Sequence, residues 1–172
     1  MRGEHVYLIG FMGSGKTSVG VLLGPALSLP FIDLDELIVS AEGRSITSIF
    51  AAEGEGHFRQ IEARLLDQVL DSPPAVVSLG GGTFLPLENR RSIQERGVCV
   101  WLKVSLEEAL ERCRSEPGRP LARDVANFSK LYERRQPVYG RCDVHIETDR
   151  KTPENICREI VLRLEEKENA LD

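Results

Sequence analysis

The stretch Gly10-Phe11-Met12-Gly13-Ser14-Gly15-Lys16-Thr17 constrains this chain more than any other. It is the complete phosphate-loop pattern: a glycine, four residues, then Gly-Lys-Thr. Val6 to Ile9 leads in as a short apolar run that reads as a buried strand. Ser18-Val19-Gly20-Val21-Leu22-Leu23 leads out as a helix-compatible run. The glycines permit a tight turn whose N–H groups converge on phosphate oxygens. The helix that follows adds its own unpaired N–H groups and its dipole, both of which favour an anion. Lys16 brings a mobile positive charge to the β- and γ-phosphates, and Thr17 offers a hydroxyl to Mg²⁺. Strand, loop and helix in register point to a nucleoside triphosphate. They leave the phosphate acceptor undefined.

The rest of the chain alternates in type. Further strands are expected at Leu29–Ile32, Ala75–Leu79, Val98–Leu102 and Asp143–Ile146. Helices are expected from Lys16 to about Leu27, from Glu36, over Ser45–Phe50, His57–Leu70, Leu87–Arg96 and Leu106–Arg114, from Asn127 to about Gln136, and from Pro153. Gly54-Glu55-Gly56 is read as a break between two of them, and Gly97 as the residue that closes another. Asp35 is read as an N-cap or first-turn carboxylate. Ser105 with Glu108 forms a capping box, and Thr152-Pro153 is a helix start. Five strands alternating with helices imply an α/β fold, a parallel sheet covered by helices on both faces. A chain of 172 residues suits one such domain.

Ligands of such sheets bind beyond the carboxyl ends of the strands. That rule gathers Gly10–Thr17, the pair Asp33 and Asp35, and Gly80-Gly81-Gly82 into one cleft. One of the two carboxylates can reach Mg²⁺ and the other a substrate hydroxyl. Three glycines after a buried strand suggest backbone lying close to a ligand. Arg59 and Glu62, three apart on a helix, make either a surface ion pair or a clamp for a carboxylate; spacing alone leaves both open. Arg119, in the loop Ser115-Glu116-Pro117-Gly118-Arg119-Pro120, suits a lid that brings a charge to the transferring group.

Charge and cysteines narrow the partners. The net charge of −5 disfavours nucleic acid, although Arg112 to Arg141 holds eight basic and three acidic residues. No apolar run approaches a membrane span or a signal peptide, so a cytoplasmic location is expected. Cys99, Cys113, Cys142 and Cys157 lack metal-ligand spacing and read as reduced thiols without a role.

Several spaced motifs together resemble the shikimate kinase family, over about Val6 to Pro153. They are Gly10–Thr17; Phe31-x-Asp33-x-Asp35-x-x-Ile38; Gly54-Glu55-x-x-Phe58-Arg59-x-x-Glu62; Gly80-Gly81-Gly82; Arg119-Pro120-Leu121; and Arg135-x-Pro137-x-Tyr139. The resemblance implies a three-layer αβα P-loop domain like the nucleoside monophosphate kinases, with strand order 2-3-1-4-5. It implies a substrate-binding segment over about 33–62 and a lid over about 113–124. It implies phosphate transfer from ATP to the 3-hydroxyl of shikimate by a monomeric enzyme.

Site residues follow from the same resemblance. Gly13, Ser14, Gly15, Lys16, Thr17 and Ser18 would hold the nucleotide phosphates, with Arg112 and Pro153 beside the adenine. Thr17 and Asp33 would hold Mg²⁺. Asp35, Arg59, Gly80, Gly81, Gly82 and Arg135 would bind shikimate, the two arginines gripping its carboxylate. Lys16, Asp35 and the lid residue Arg119 would carry the catalysis.

A gluconate or nucleoside monophosphate kinase of the same fold fits the Asp35, Arg59 and Arg135 set poorly. A GTP-dependent switch would need an Asn-Lys-x-Asp motif, which the sequence lacks.

Overall fold

Alternation along β1 (His5–Ile9) sets the layers of the molecule. Val6 and Leu8 point into one hydrophobic cluster, Tyr7 and Ile9 into another on the opposite face. A strand buried on both faces belongs in the middle of a parallel sheet. The computed structural model describes residues 4–115 and 124–170 and places β1 there. The other strands are β2 (Phe31–Asp33), β3 (Val76–Ser78), β4 (Gly97–Lys103) and β5 (Val144–Glu147). Their order is β2-β3-β1-β4-β5, and every pairing is parallel. This is the expected order.

Seven helices accompany the strands among the described residues, six between strands and the last after β5. Two of them, α1 (Lys16–Ala26) and α7 (Pro153–Asn169), cover the Val6/Leu8 face, where Val19, Leu23, Ile156 and Ile160 are buried. The opposite face carries α2 (Leu34–Glu42), α3 (Ile46–Leu70), α4 (Leu87–Arg96), α5 (Leu106–Ser115) and α6 (Val125–Tyr139). They contribute Ile38, Leu65, Ile93, Ala109 and Phe128 to that core. The result is the three-layer αβα arrangement expected of a phosphate-loop domain. A Cβ on Gly20 would lie 2.1 Å from the Phe31 ring, so α1 rests directly on β2 because residue 20 has no side chain. No helix among the described residues is long and apolar enough to cross a membrane.

Register aligns the strand ends. Asp33 and Leu8 both pair with Ser78, and Leu79 N donates to Leu8 O at 3.1 Å. The chain therefore leaves β1, β2 and β3 at one level, into the phosphate loop, Asp33–Asp35 and Gly80 respectively. Strand order reverses at β1, which lies between β3 and β4, and such a switch point opens a crevice.

Some local expectations hold and two change. The break expected at Gly54 is present: the residue is non-helical, at φ 78° and ψ 179°, and α3 is two helices joined across a kink there. Asp33, not Asp35, is the N-cap of α2, and its Oδ1 accepts from Asp35 N at 3.0 Å and Glu36 N at 3.4 Å. Asp35 sits in the first turn, one of the two places expected for it. Gly97 ends α4 in extended backbone, φ 171°, and not in the left-handed turn that usually stops a helix. Its glycine is needed for packing, since a Cβ there would lie 2.1 Å from His5 O. Finally, α6 begins at Val125, capped by Asp124 through Asn127 N at 3.1 Å, and continues through Pro137 to Tyr139. The capping residues Ser45, Ser105 and Thr152 accept from Ser48 N, Glu108 N and Asn155 N.

Candidate active site

The donor half of the site is local. Gly15, in the left-handed region at φ 90°, is the N-cap of α1, and no side chain caps that end. The first turn of α1 carries no acidic residue, so its dipole and N–H groups are left for an anion. Lys16 Nζ donates to Gly10 O at 3.0 Å and Phe11 O at 3.2 Å, which holds the ammonium over the loop. Ser14 is buried, and its Oγ has no hydrogen-bond partner among the described residues. Thr17 Oγ1 donates to Asp33 Oδ2 at 2.8 Å and so links the loop to β2.

Arg112 ties this half to the α5 and α7 side. Its guanidinium donates to Glu108 Oε1 at 2.8 and 3.1 Å, to Gly13 O at 3.0 Å and to Thr148 O at 3.1 Å. Pro153 stands close by in sequence, at the start of α7.

The acceptor half is assembled from distant elements around Gly80-Gly81-Gly82. A Cβ on Gly80 would lie 2.9 Å from Asp35 Oδ1. One on Gly81 would lie 2.7 Å from Arg135 Nη1, and one on Gly82 2.5 Å from Arg59 Nη2. The three glycines thus form a bare strap of backbone against a carboxylate from α2 and guanidiniums from α3 and α6.

Each charged group has its own support. Arg59 donates to Glu62 Oε2 at 2.7 Å and Glu55 Oε1 at 3.2 Å, and lies 5.2 Å from the Phe58 ring, itself stacked on Phe50. Burial opposes the Arg59 charge, but Glu62 and Glu55 outweigh it and hold the guanidinium above its usual range. Glu62 is 1% exposed, and its other oxygen accepts from Thr83 Oγ1 at 2.6 Å. Arg135 lies 5.6 Å from the Phe11 ring, and its buried Nε has no partner among the described residues. Tyr139, one turn along α6, donates to Gly81 O at 2.5 Å. Burial raises the Asp35 carboxyl above its ordinary range. The charges of Asp33 and Glu62 push the same way, while Lys16 and Arg59 oppose them.

A phosphate loop near one carboxylate, with two arginines gathered at a glycine strap, suits a site for two substrates. Comparison with known proteins agrees. The shikimate kinase family model matches residues 12–165. The chain belongs to the shikimate kinase family. The shikimate kinase of Persephonella marina is 40% identical over 162 residues, which cover 94% of this chain and 99% of that protein. The crystal structure of shikimate kinase from Aquifex aeolicus is 38% identical, with a TM-score of 0.85, covering 94% of this chain and 96% of that one. A shikimate kinase from Acinetobacter baumannii, solved in complex with shikimate, is 30% identical with a TM-score of 0.90, covering 95% and 94%.

The residues that the family resemblance singles out separate into two groups. Gly13 to Ser18, Asp33, Asp35, Arg59, Gly80–Gly82, Arg112, Arg135 and Pro153 lie within the described residues, and the first seven segments of the site have the geometry given above. Arg119, and with it most of the expected lid, lies outside the described residues. Arg134 is exposed, whereas its neighbour Arg135 turns to the strap. Sequence reading missed Thr83 and the part played by Tyr139. The spacing of Arg135 and Tyr139, four apart, was the available sign that both share a helix face. All four cysteines are buried, and none forms a disulfide among the described residues. A groove of about 570 Å³ between β5 and α7, lined by Cys142, His145 and Lys167 among others, contains none of these site residues.

Proposed function

We propose that this chain transfers the γ-phosphate of ATP to the 3-hydroxyl of shikimate, giving shikimate 3-phosphate and ADP. One observation supports the choice of acceptor above the others. Asp35, Arg135 and Arg59 abut three successive glycines, so one hydrogen-bond acceptor and two cations face a single space. Shikimate carries three hydroxyls and one carboxylate. A nucleobase carries no carboxylate for the guanidiniums at Gly81 and Gly82 to grip.

Arg59, fixed by Glu62, and Arg135, fixed over Phe11, grip the carboxylate. Gly80 to Gly82 let the ring approach the backbone. Asp35 accepts a hydrogen bond from the attacking hydroxyl and takes its proton as the bond to phosphorus forms; its raised pKa makes it the better base. Gly13 to Ser18 hold the phosphates through main-chain N–H groups, and Lys16 follows the charge of the transferring group. Arg112 and Pro153 flank the adenine. Arg119 is assigned to the transferring phosphoryl group on the family resemblance alone.

The donor set near Thr17 fits a hard cation. Thr17 Oγ1 and Asp33 Oδ2 lie 2.8 Å apart, and no cluster of three or more ligating residues exists among the described residues. Mg²⁺ needs no more, since it keeps several waters and takes phosphate oxygens. Thr17 and Asp33 would hold it there, and it would supply neutralisation of phosphate charge. The enzyme acts as a cytoplasmic monomer without nucleic acid or membrane partners in this reading.

Coupled ADP release measured with shikimate, gluconate and nucleoside monophosphates tests the assignment. Turnover with shikimate alone is expected; a higher kcat/KM with either competitor overturns it.

A further inference from the structure

We infer that Thr83 is a positioning residue of the acceptor site: its hydroxyl holds Glu62, and through Glu62 it sets where Arg59 meets the substrate. The inference rests on the assignment of Arg59 to the substrate carboxylate.

Thr83 is 0% exposed, and a buried hydroxyl needs a partner. It donates to Glu62 Oε1 at 2.6 Å, while Arg59 Nη1 donates to Oε2 at 2.7 Å. The two oxygens of one buried carboxylate are thus divided between a fixed donor and a functional one. Thr83 is the fixed donor because its main chain is pinned on both sides. Thr83 N donates to Gly80 O at 3.1 Å, and Asn89 Nδ2 donates to Thr83 O at 2.9 Å. Arg59 is a long side chain with a half-exposed head and Glu55 as a second, exposed anchor. Without the hydroxyl, Glu62 loses the donor that fixes its carboxylate plane and turns to share both oxygens with the arginine. The guanidinium then follows Glu62 and leaves the strap at Gly82, where its fit is tightest. Hydrogen bonds to charged groups are the strong ones, so the loss is felt.

The effect is confined to one substrate. Thr83 also lies 3.1 Å from where a Gly80 Cβ would sit, on the Asp35 side of the strap. Its hydrogen bonds, to Glu62, Asn89 and Gly80, do not involve Gly10–Thr17. Shikimate binding is therefore sensitive to the hydroxyl, and ATP binding is not.

Steady-state kinetics of the full chain test this, with each substrate varied, in Thr83→Val, Thr83→Ala, Thr83→Ser and Arg59→Ala. Valine keeps the shape and removes the hydroxyl; serine does the reverse. Thr83→Val and Thr83→Ala are expected to raise the KM for shikimate about three- to tenfold. The KM for ATP and kcat should stay within about twofold, and Thr83→Ser should restore the shikimate KM. If Thr83→Val fails to fold, the contrast of serine with alanine decides. Serine as impaired as alanine means that the methyl group, not the hydroxyl, matters, and the proposal falls. It falls alone if Arg59→Ala raises the shikimate KM while Thr83→Val and Thr83→Ala do not. An unchanged shikimate KM in Arg59→Ala removes the carboxylate assignment and the role of Thr83 together.

Discussion

Thr17 Oγ1 donates to Asp33 Oδ2 across 2.8 Å, so the first turn of α1 is tied to the residue that caps α2. Asp33 thus has two duties on separate oxygens: Oδ1 takes the N–H groups of α2, and Oδ2 faces the phosphate loop. Substitution can separate them. Asparagine caps about as well as aspartate, so Asp33→Asn should keep its Tm close to wild type. It removes the negative charge, so the Mg²⁺ concentration for half-maximal activity should rise markedly. Asp33→Ala should lose the cap as well, about 1 kcal/mol, or roughly 2–4 °C in Tm for a chain of this size. Thermal melts beside Mg²⁺ titrations of activity check both. A wild-type Mg²⁺ requirement in Asp33→Asn would sink the metal assignment.

Asp35 has a pKa above its ordinary value of 3.8, first because it is buried and then because Asp33 and Glu62 are near. Below about pH 3.8 the group is protonated in the folded and unfolded chain alike and has no effect on stability. As pH rises towards the folded pKa, the unfolded chain loses this proton first, so stability falls across that window. Above the folded pKa the full cost persists. Asp35→Asn removes it. The variant should melt higher than wild type at about pH 7–8, and the gain should vanish below about pH 4. Its kcat should fall by about 10²–10⁴, as expected when a general base is lost. Melting curves over this pH range measure the first effect. A gain that persisted unchanged at low pH would show that the raised pKa is not its source.

Lys16 and Arg59 should divide the kinetics between them. Lys16→Ala removes charge from the transferring group and should lower kcat by about 10²–10³, with little change in shikimate affinity. Arg59→Ala removes a charged hydrogen bond to the acceptor and should raise the shikimate KM by about 10–100-fold, with the ATP KM nearly unchanged. Initial rates with each substrate varied, plus shikimate titrations without ATP, distinguish the two. Equal loss of affinity for both substrates in Arg59→Ala would contradict its placement in the acceptor half.

What could be read from sequence follows from how local each feature is. The phosphate loop is eight consecutive residues whose types dictate its backbone, and its place after β1 is the place expected. A parallel sheet followed from the alternation of elements, and its strand order from the family resemblance alone. Arg59 could not be decided from spacing, because an Arg–Glu pair three apart looks the same on a solvated face. What favours the clamp is that α3 buries Glu62, at 1% exposure, where Thr83 holds its other oxygen. The Thr83–Glu62 and Tyr139–Gly81 bonds join residues 21 and 58 positions apart, so no local pattern announces them. Asp33 and Asp35 both suited the start of α2, and the register of β2 gave the cap to Asp33. At Gly97 the residue type was right and the reason was not, since close approach to His5 requires it.

That last distinction yields a paired test on two glycines. A Cβ at residue 97 would lie 2.1 Å from His5 O and 2.8 Å from His5 C, both main-chain atoms of the neighbouring strand. Backbone cannot step aside without parting β1 from β4, where these residues pair. Gly97→Ala should therefore cost stability, about 1–3 kcal/mol or more, and lower Tm by several degrees. The carboxyl ends of the strands lie at the far end of β4, so both KM values should remain close to wild type. The three atoms nearest to a Cβ at residue 82 all belong to one side chain, with Arg59 Nη2 at 2.5 Å and Nη1 at 2.7 Å. The end of an arginine can move, so Gly82→Ala should fold with nearly wild-type Tm. But Arg59 can yield only by breaking its bonds to Glu62 and Glu55. The shikimate KM should then rise about tenfold or more, and the ATP KM should not. Melting temperatures and the two KM values, measured for both variants, check the pair. If Gly82→Ala lost stability and kept its shikimate KM, the glycine strap would be a folding requirement and not the floor of the acceptor site.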